Sequence, residues 1–123
     1  MSKKLNETIG SVEFDGLIVS NEPIADVVHV KIAAGEGVIE RGTVVTGTAG
    51  GELKKAAAEL VATNSTYIIA DDVDATAAVV ATAYRSGHFA RGKLKTDGKY
   101  ALTAADEELL RQSNIILSDA VAY

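Results

Sequence analysis

The side chains that could perform chemistry in this chain are few and scattered. Three carboxylates stand close together at Asp71, Asp72 and Asp74. A calcium loop needs more oxygen ligands at regular spacing, and usually a bidentate glutamate further along the chain. The residues that follow Asp74 do not supply these ligands. The acidic cluster therefore predicts a solvated turn between two strands.

The histidines, serines and glycines give no stronger signal. The two histidines are His29 and His88, and without a close partner or a cysteine each is predicted at a surface or turn position. Ser86 precedes a single glycine, whereas a nucleophile elbow needs Gly-x-Ser-x-Gly. The Gly-Glu-Gly of residues 35–37 lacks the third glycine and the following helix of a dinucleotide fingerprint. We therefore expect no enzyme activity, no metal and no cofactor.

Composition indicates one small domain that gains stability from association. A chain of 123 residues can bury roughly two-thirds of the surface that its unfolded form exposes. Much of its 47% apolar content is alanine and valine, and its aromatic residues are four tyrosines and two phenylalanines. Each buried side chain contributes little area, so burying a face against further copies adds stability. We expect a homo-oligomer, and the absence of cysteine excludes disulfides.

The net charge of −5 argues against direct binding of nucleic acid. Basic residues nevertheless concentrate in residues 85–99, opposed by Asp97 alone: Arg85, Arg91, Lys93, Lys95 and Lys99. Lysines discourage edge-to-edge pairing, so an exposed edge strand is the favoured interpretation. A docking face for an acidic protein surface and a phosphate-binding patch stay open as alternatives.

No part of the sequence predicts membrane insertion or export. No apolar run approaches the ~20 residues that a membrane-spanning helix needs. The first residues contain two lysines but lack the apolar core of a signal peptide. We expect a protein made in the cytoplasm with no membrane partner.

Short apolar runs between glycine-rich and acidic turns predict a mainly β fold of the α+β class. The predicted strands cover residues 17–19, 26–33, 38–40, 43–46, 66–70, 77–84 and 115–117. In residues 26–33, Val28, Val30 and Ile32 alternate with His29 and Lys31, which predicts a half-buried strand with His29 and Lys31 on its outward face. Residues 85–88 are predicted to turn the chain, and Asp97-Gly98 is a two-residue hairpin signal. Residues 1–15 are polar and weakly patterned. They predict an extended N-terminal arm before a single domain at residues 16–123.

Two segments are candidates for short helices. Residues 52–62 contain strong helix formers with apolar residues at helical spacing, although a loop or strand stays open for so short a segment. Residues 103–114 are the clearer case, because Thr103 can cap the helix and Asp106 sits near the reciprocal capping position. Arg111 lies in the last turn and Asn114 suits the exit.

The order of these elements is similar to that of a known family. The first matching block is Phe14-Asp-Gly-Leu-Ile-Val19, a polar turn and Val28-His-Val-Lys-Ile-Ala-Ala-Gly-Glu-Gly-Val-Ile-Glu-Arg-Gly-Thr-Val-Val45. The second is Tyr67-Ile-Ile-Ala-Asp-Asp-Val-Asp-Ala75, an apolar strand to Tyr84 and Arg85-Ser-Gly-His-Phe-Ala-Arg91, followed by the acidic helix and Ile115-Ile-Leu117. Together they resemble the head decoration, or capsid cement, proteins of tailed bacteriophages, of the lambda type.

The resemblance implies a structural protein of the virion. It implies a compact small β-barrel or β-tulip-like domain that assembles as a homotrimer. Such trimers bind the outer surface of the expanded capsid at threefold or quasi-threefold positions, contact the major capsid protein and stabilise the head against internal DNA pressure. In the family the N-terminal arm orders on docking. The corresponding contact residues here are Lys3, Lys4, Leu5, Ile9, Val12 and Phe14.

A small β-clip-like module that binds a carbohydrate or another small ligand is the alternative. The Glu-Arg-Gly-Thr-Val-Val turn of residues 40–45 also occurs in such domains. This alternative predicts a concave site with convergent polar groups and at least one stacking aromatic side chain. The aromatic residues that could serve are Phe14, Tyr67, Tyr84, Phe89, Tyr100 and Tyr123.

Overall fold

Nine strands and one α-helix make up the part of the chain that the computed structural model describes, which is residues 16–20, 23–98 and 100–119. The strands are β1 (Ile18–Ser20), β2 (Asp26–Ile32), β3 (Gly37–Ile39), β4 (Val44–Thr48), β5 (Lys54–Lys55), β6 (Asn64–Ile69), β7 (Val73–Ala75), β8 (Val79–Ala90) and β9 (Ile115–Ser118). The helix α1 spans Ala104–Gln112, and a single 3-10 turn spans Arg91–Lys93. The prediction of a mainly β domain with one or two short helices is confirmed.

Seven of the described strands form one sheet, in which the long β8 is the hub. Its first part pairs antiparallel with β2 and β6, and its last part pairs antiparallel with β1 and parallel with β9. Beyond β6 the sheet continues to β4 and β5, while β3 and β7 pair separately. Among the described strands the sheet does not close into the expected barrel, although the compact small β domain is present. A single bridge between Ile32 and Leu53 is where β2 comes nearest to the β5 side.

The sheet is buried on both faces where β6 pairs with β8, so the apolar residues there do not alternate with polar ones. Successive side chains of a strand point to opposite faces. Ile68 accordingly packs in one apolar cluster with Phe89 and Leu110, whereas Ile69 packs in a second cluster with Ile32. The consecutive apolar residues at the end of β6, Ile68 and Ile69, are what burial on both sides requires.

Residues 85–88 do not turn the chain, so this prediction is wrong. β8 runs through them without interruption because it has ladder partners on both sides. Gly87 makes this possible with a φ of 149°, a conformation that other residues rarely adopt. A Cβ at this position would lie 2.7 Å from the ring of Phe89. The hairpin predicted at Asp97-Gly98 is also absent from the described residues, and the Asp97 amide donates to the Ala56 carbonyl instead.

The helix predicted for residues 52–62 is not formed either. Lys54 and Lys55 pair with β4, and the Ala56 amide donates to the Val44 carbonyl at 2.9 Å. Further along, the Leu60 amide donates to the Asp106 carboxylate at 2.9 Å. These long-range partners take backbone groups that a helix would use internally, and Ala56 and Leu60 bury their side chains in the core. Tertiary contacts therefore outweigh local helix propensity in this segment.

The second predicted helix is confirmed, with the signals that predicted it in place. Thr103 accepts a hydrogen bond from the Asp106 amide, and Asp106 accepts one from the Thr103 amide, which completes a capping box. Asn114 ends the helix with a positive φ of 66°. The chain then enters β9, where Ile115 is fully buried.

Candidate interaction surface

The acidic cluster has local structural partners. Asp72 accepts a hydrogen bond from the Arg41 amide at 2.7 Å, and Asp74 accepts from the amide and hydroxyl of Thr76. The hydroxyl first, and then the amide, hold the pKa of Asp74 below its usual value. Asp71 and Asp72 lie in the connection before β7, as predicted, but Asp74 lies within that strand. Among the described residues no group of three His, Cys, Asp or Glu could hold a metal ion.

The other candidate chemical groups lie apart or already have structural partners. His29 is exposed on β2, with its Nδ1 3.5 Å from the Thr82 hydroxyl. His88 lies on β8 with its Nε2 2.8 Å from the Ser118 hydroxyl. Ser86 donates to the Ile24 carbonyl at 2.8 Å. In the described part of the chain these groups do not bring a nucleophile, a base and an orienting acid together.

The basic residues do not form an edge strand. Arg85 lies within β8, which is paired on both sides, and its guanidinium donates to Asp26. Arg91 lies in the 3-10 turn and forms ion pairs with Glu107 at 2.8 Å and Asp119 at 2.6 Å. The hydrogen bond to Glu107, and then that to Asp119, raise the pKa of the Arg91 guanidinium. Acidic partners thus pair with both arginines of the segment, and the Lys95 ammonium donates to the Arg41 carbonyl at 3.2 Å.

One face of the β2–β8 pair presents both apolar and polar side chains to solvent. The register sets His29 opposite Thr82 and Lys31 opposite Val80, so these four side chains share a face. Val27 continues the same face of β2 and is 50% exposed, and Val80 is 61% exposed. We call this set the open face: Val27, His29, Lys31, Val80 and Thr82.

A gap lies at the outer edge of β2, where the sheet fails to close. It separates residues 29–31 from the turn between β4 and β5 at Gly50 and Gly51, and it encloses about 190 Å³. Leu53, Ser65 and Tyr67 also line it. Leu53 is buried and Tyr67 is partly buried against the second core cluster. We call this space the β2 gap.

No local sequence signal predicts the β2 gap. It exists because residues 53–55 join β4 and bridge to β2, whereas propensity predicted a helix there. Gly47 lets β4 lie close to the backbone of Glu52, since a Cβ at Gly47 would lie 2.6 Å from the Glu52 carbonyl oxygen. The contact residues predicted for the arm, from Lys3 to Phe14, lie outside the described residues.

No family model matches this chain, and a search of curated proteins finds no match. In the described part of the chain, no helix has the length and apolar character needed to cross a membrane. The features of the chain that bear on its function are the open face, the β2 gap and the order of the sequence elements.

Proposed function

We propose that this protein is a structural component of a tailed-bacteriophage virion that decorates the outer surface of the expanded capsid. It binds as trimers at threefold or quasi-threefold positions, contacts the major capsid protein and stabilises the head against internal DNA pressure. The order of the two sequence blocks supports this role. So does the mainly β domain with one short helix.

The open face is the observation that carries the proposal. A decoration protein needs a shallow surface that docks many times on a lattice, and it needs no catalytic group. Val27 and Val80 place apolar area on a sheet face that His29 and Lys31 keep polar enough to stay in water. Reversible interfaces are about as apolar as the rest of a protein surface, so such a mixture is compatible with reversible docking.

The arm supplies the second contact in this proposal. Ordering an extended segment costs about 1–2 kcal/mol per residue in backbone entropy. Strand hydrogen bonds to the capsid and apolar anchors at Leu5, Ile9 and Val12 offset this cost. Binding should therefore depend on a capsid that presents a free strand edge.

Imaging of undecorated capsids tests the role directly. Expanded capsids mixed with the purified protein should show ordered density at threefold or quasi-threefold positions, and compact precursor shells should show less. A variant lacking residues 2–13 should bind more weakly while its circular dichroism spectrum stays that of a β protein. Absence of ordered density with the full-length protein would exclude the decoration role.

A ligand-binding module is the second candidate, and the β2 gap is the observation that favours it. The gap brings an aromatic ring at Tyr67 close to polar groups of Ser65 and His29, as a carbohydrate site requires. Titration with neutral oligosaccharides, followed by NMR, should shift the amide signals of these residues. Tyr67→Ala should abolish the shifts and Tyr67→Phe should keep them. Unchanged spectra at millimolar oligosaccharide would exclude this function.

A further inference from the structure

Along the outer edge of β2, backbone amides and carbonyls of alternate residues point outward and can pair with another strand. The Lys31 carbonyl accepts from the Leu53 amide at 2.8 Å, and the Ala33 amide donates to the Leu53 carbonyl at 2.9 Å. Backbone groups of alternate residues in a strand point to the same edge, so those of Val27 and His29 point to this edge too. Within the described residues β2 has no strand partner beside Val27 and His29 on this edge. An unpaired edge of this kind is a template for strand addition.

The β2 gap has the shape that an added strand needs. Gly50 and Gly51 form its far rim without side chains, and Leu53 and Tyr67 give it an apolar floor. A strand laid along β2 would direct every second side chain onto this floor. The side chains between them would lie beside His29 and Lys31 on the open face. The gap therefore selects a segment in which apolar and polar residues alternate.

We propose that residues 11–14 of a second copy of this chain occupy the β2 gap as an added strand. The sequence Ser11-Val-Glu-Phe14 alternates polar and apolar residues. Val12 and Phe14 cover Tyr67 and Leu53, while Glu13 lies opposite His29 and diagonal to Lys31. Opposite charges at such cross-strand positions are favourable. Backbone hydrogen bonds to the edge of β2 supply affinity, and the apolar floor sets the register.

Distance assigns the segment to a second copy rather than to the same chain. β1 begins opposite Phe89, whereas His29 lies opposite Thr82. Seven residues of β8 separate these positions, a distance of about 23 Å along the strand. Residue 11 is five residues from Gly16 and can extend at most about 17 Å from it. Residues 11–14 of the same chain therefore fall short of the gap.

Exchange of this segment leaves the earlier part of the arm available. Lys3, Lys4, Leu5 and Ile9 precede the exchanged residues and can still contact a capsid, whereas Val12 and Phe14 then contact the second copy instead of the capsid. The inference requires self-association but no capsid, and it is tested on the purified protein alone. Its failure would leave the decoration role to be judged by the imaging experiment.

Engineered cysteines test the exchange, because the chain contains no cysteine of its own. A Glu13→Cys chain and a His29→Cys chain, labelled to differ in mass, are mixed and oxidised. Disulfide-linked pairs of unlike chains should exceed those of a matched control by at least about tenfold, because strand pairing raises the effective concentration to the millimolar range. The control pairs the Glu13→Cys chain with a chain carrying Glu108→Cys, an exposed position on α1. Linkage no greater than the control would overturn the proposal.

A chain that carries both Glu13→Cys and His29→Cys distinguishes docking of the segment on a second copy from docking on its own chain. The exchange predicts disulfides between chains, and disulfides formed only within a chain would overturn it. Amide hydrogen exchange gives an independent readout on the native sequence. The His29 amide should exchange slowly in the wild-type oligomer and faster in Val12→Asp. Equal rates in the two proteins would also overturn the proposal.

Discussion

Asp106 is a buried carboxylate that joins α1 to two preceding segments. It accepts hydrogen bonds from the Leu60 amide at 2.9 Å, from the Thr103 amide at 3.0 Å and from the Tyr100 hydroxyl. Burial raises the pKa of Asp106, but the hydrogen bonds from Tyr100, Thr103 and Leu60 together outweigh burial. The pKa therefore lies below its ordinary value, and the carboxylate is the form that the fold stabilises.

Asp106→Asn should lower the free energy of unfolding by about 1–3 kcal/mol, because one carboxamide oxygen cannot accept all three bonds. The native pKa lies below the unfolded value of about 3.9, so the stabilisation is present above pH 4 and is lost as the pH falls through the native pKa. Urea unfolding should show that acid destabilises the wild type more than the variant. Glu108→Gln, on the exposed side of α1, is the control. Equal acid sensitivity of wild type and Asp106→Asn would contradict this.

Tyr100 provides a spectroscopic readout of the same contact. Its hydrogen bond to Asp106 is the largest cause that raises the pKa of Tyr100 to about 12. The stabilisation linked to this shift is present below the unfolded value of about 10 and is lost as the pH rises toward 12. Ultraviolet difference titration should show a tyrosinate step near pH 12 that Tyr100→Phe removes and Asp106→Asn moves to lower pH. A step that Asp106→Asn leaves in place would show that the contact is unimportant.

At the scale of elements, β8 depends on a single glycine. Gly87 adopts a φ of 149°, and a Cβ there would lie 2.7 Å from the buried ring of Phe89. Gly87→Ala should therefore destabilise the domain by about 1–3 kcal/mol, through strain and displacement of the ring. Gly92→Ala is the matched control, because a Cβ at Gly92 would meet nothing within 4 Å. Thermal unfolding compares the two, and an equal loss in both would refute the strain argument.

Local signals predicted the elements that depend on their own residues. The capping box of α1, the exit at Asn114 and the alternation of β2 are all local, and each is confirmed. Residues 52–62 could not be predicted, because their hydrogen bonds go to Val44 and Asp106, which are distant in sequence. The β2 gap was missed for the same reason. The sequence cannot show that Leu53 bridges to β2 or that Tyr67 lies beneath the edge.

Similar physics explains why β8 was predicted to end early. Arg85, Ser86 and Gly87 are residues that commonly occur in turns, and local chemistry favours a turn there. The strand continues because β1, β2, β6 and β9 all offer it ladder partners, and the sheet is assembled around it. The open face could be foreseen only in part. The alternation of β2 predicted an outward His29 and Lys31, but the near-continuous apolar run of residues 77–84 did not reveal an outward Val80.

At the scale of the whole molecule, association through the open face can be separated from folding. Val80 is 61% exposed, so Val80→Asp should change the free energy of unfolding by no more than about 0.5 kcal/mol. If the open face docks against capsid or neighbouring copies, the charge should weaken binding strongly, because a carboxylate buried at an interface without a partner is costly. Val38→Asp is the matched control. Val38 is 66% exposed on β3, in the separate two-stranded sheet.

Both variants should be compared with the wild type by sedimentation of expanded capsids and by the mass of the free protein in solution. We expect Val80→Asp to remain in the supernatant, Val38→Asp to sediment with the capsids and both to unfold at wild-type urea concentrations. Equal loss of binding in both variants would attribute the effect to net charge, since each adds one negative charge to a chain that already has −5. If Val80→Asp binds capsids as the wild type does, the open face is not the docking surface. The arm would then be the contact that the deletion of residues 2–13 must test.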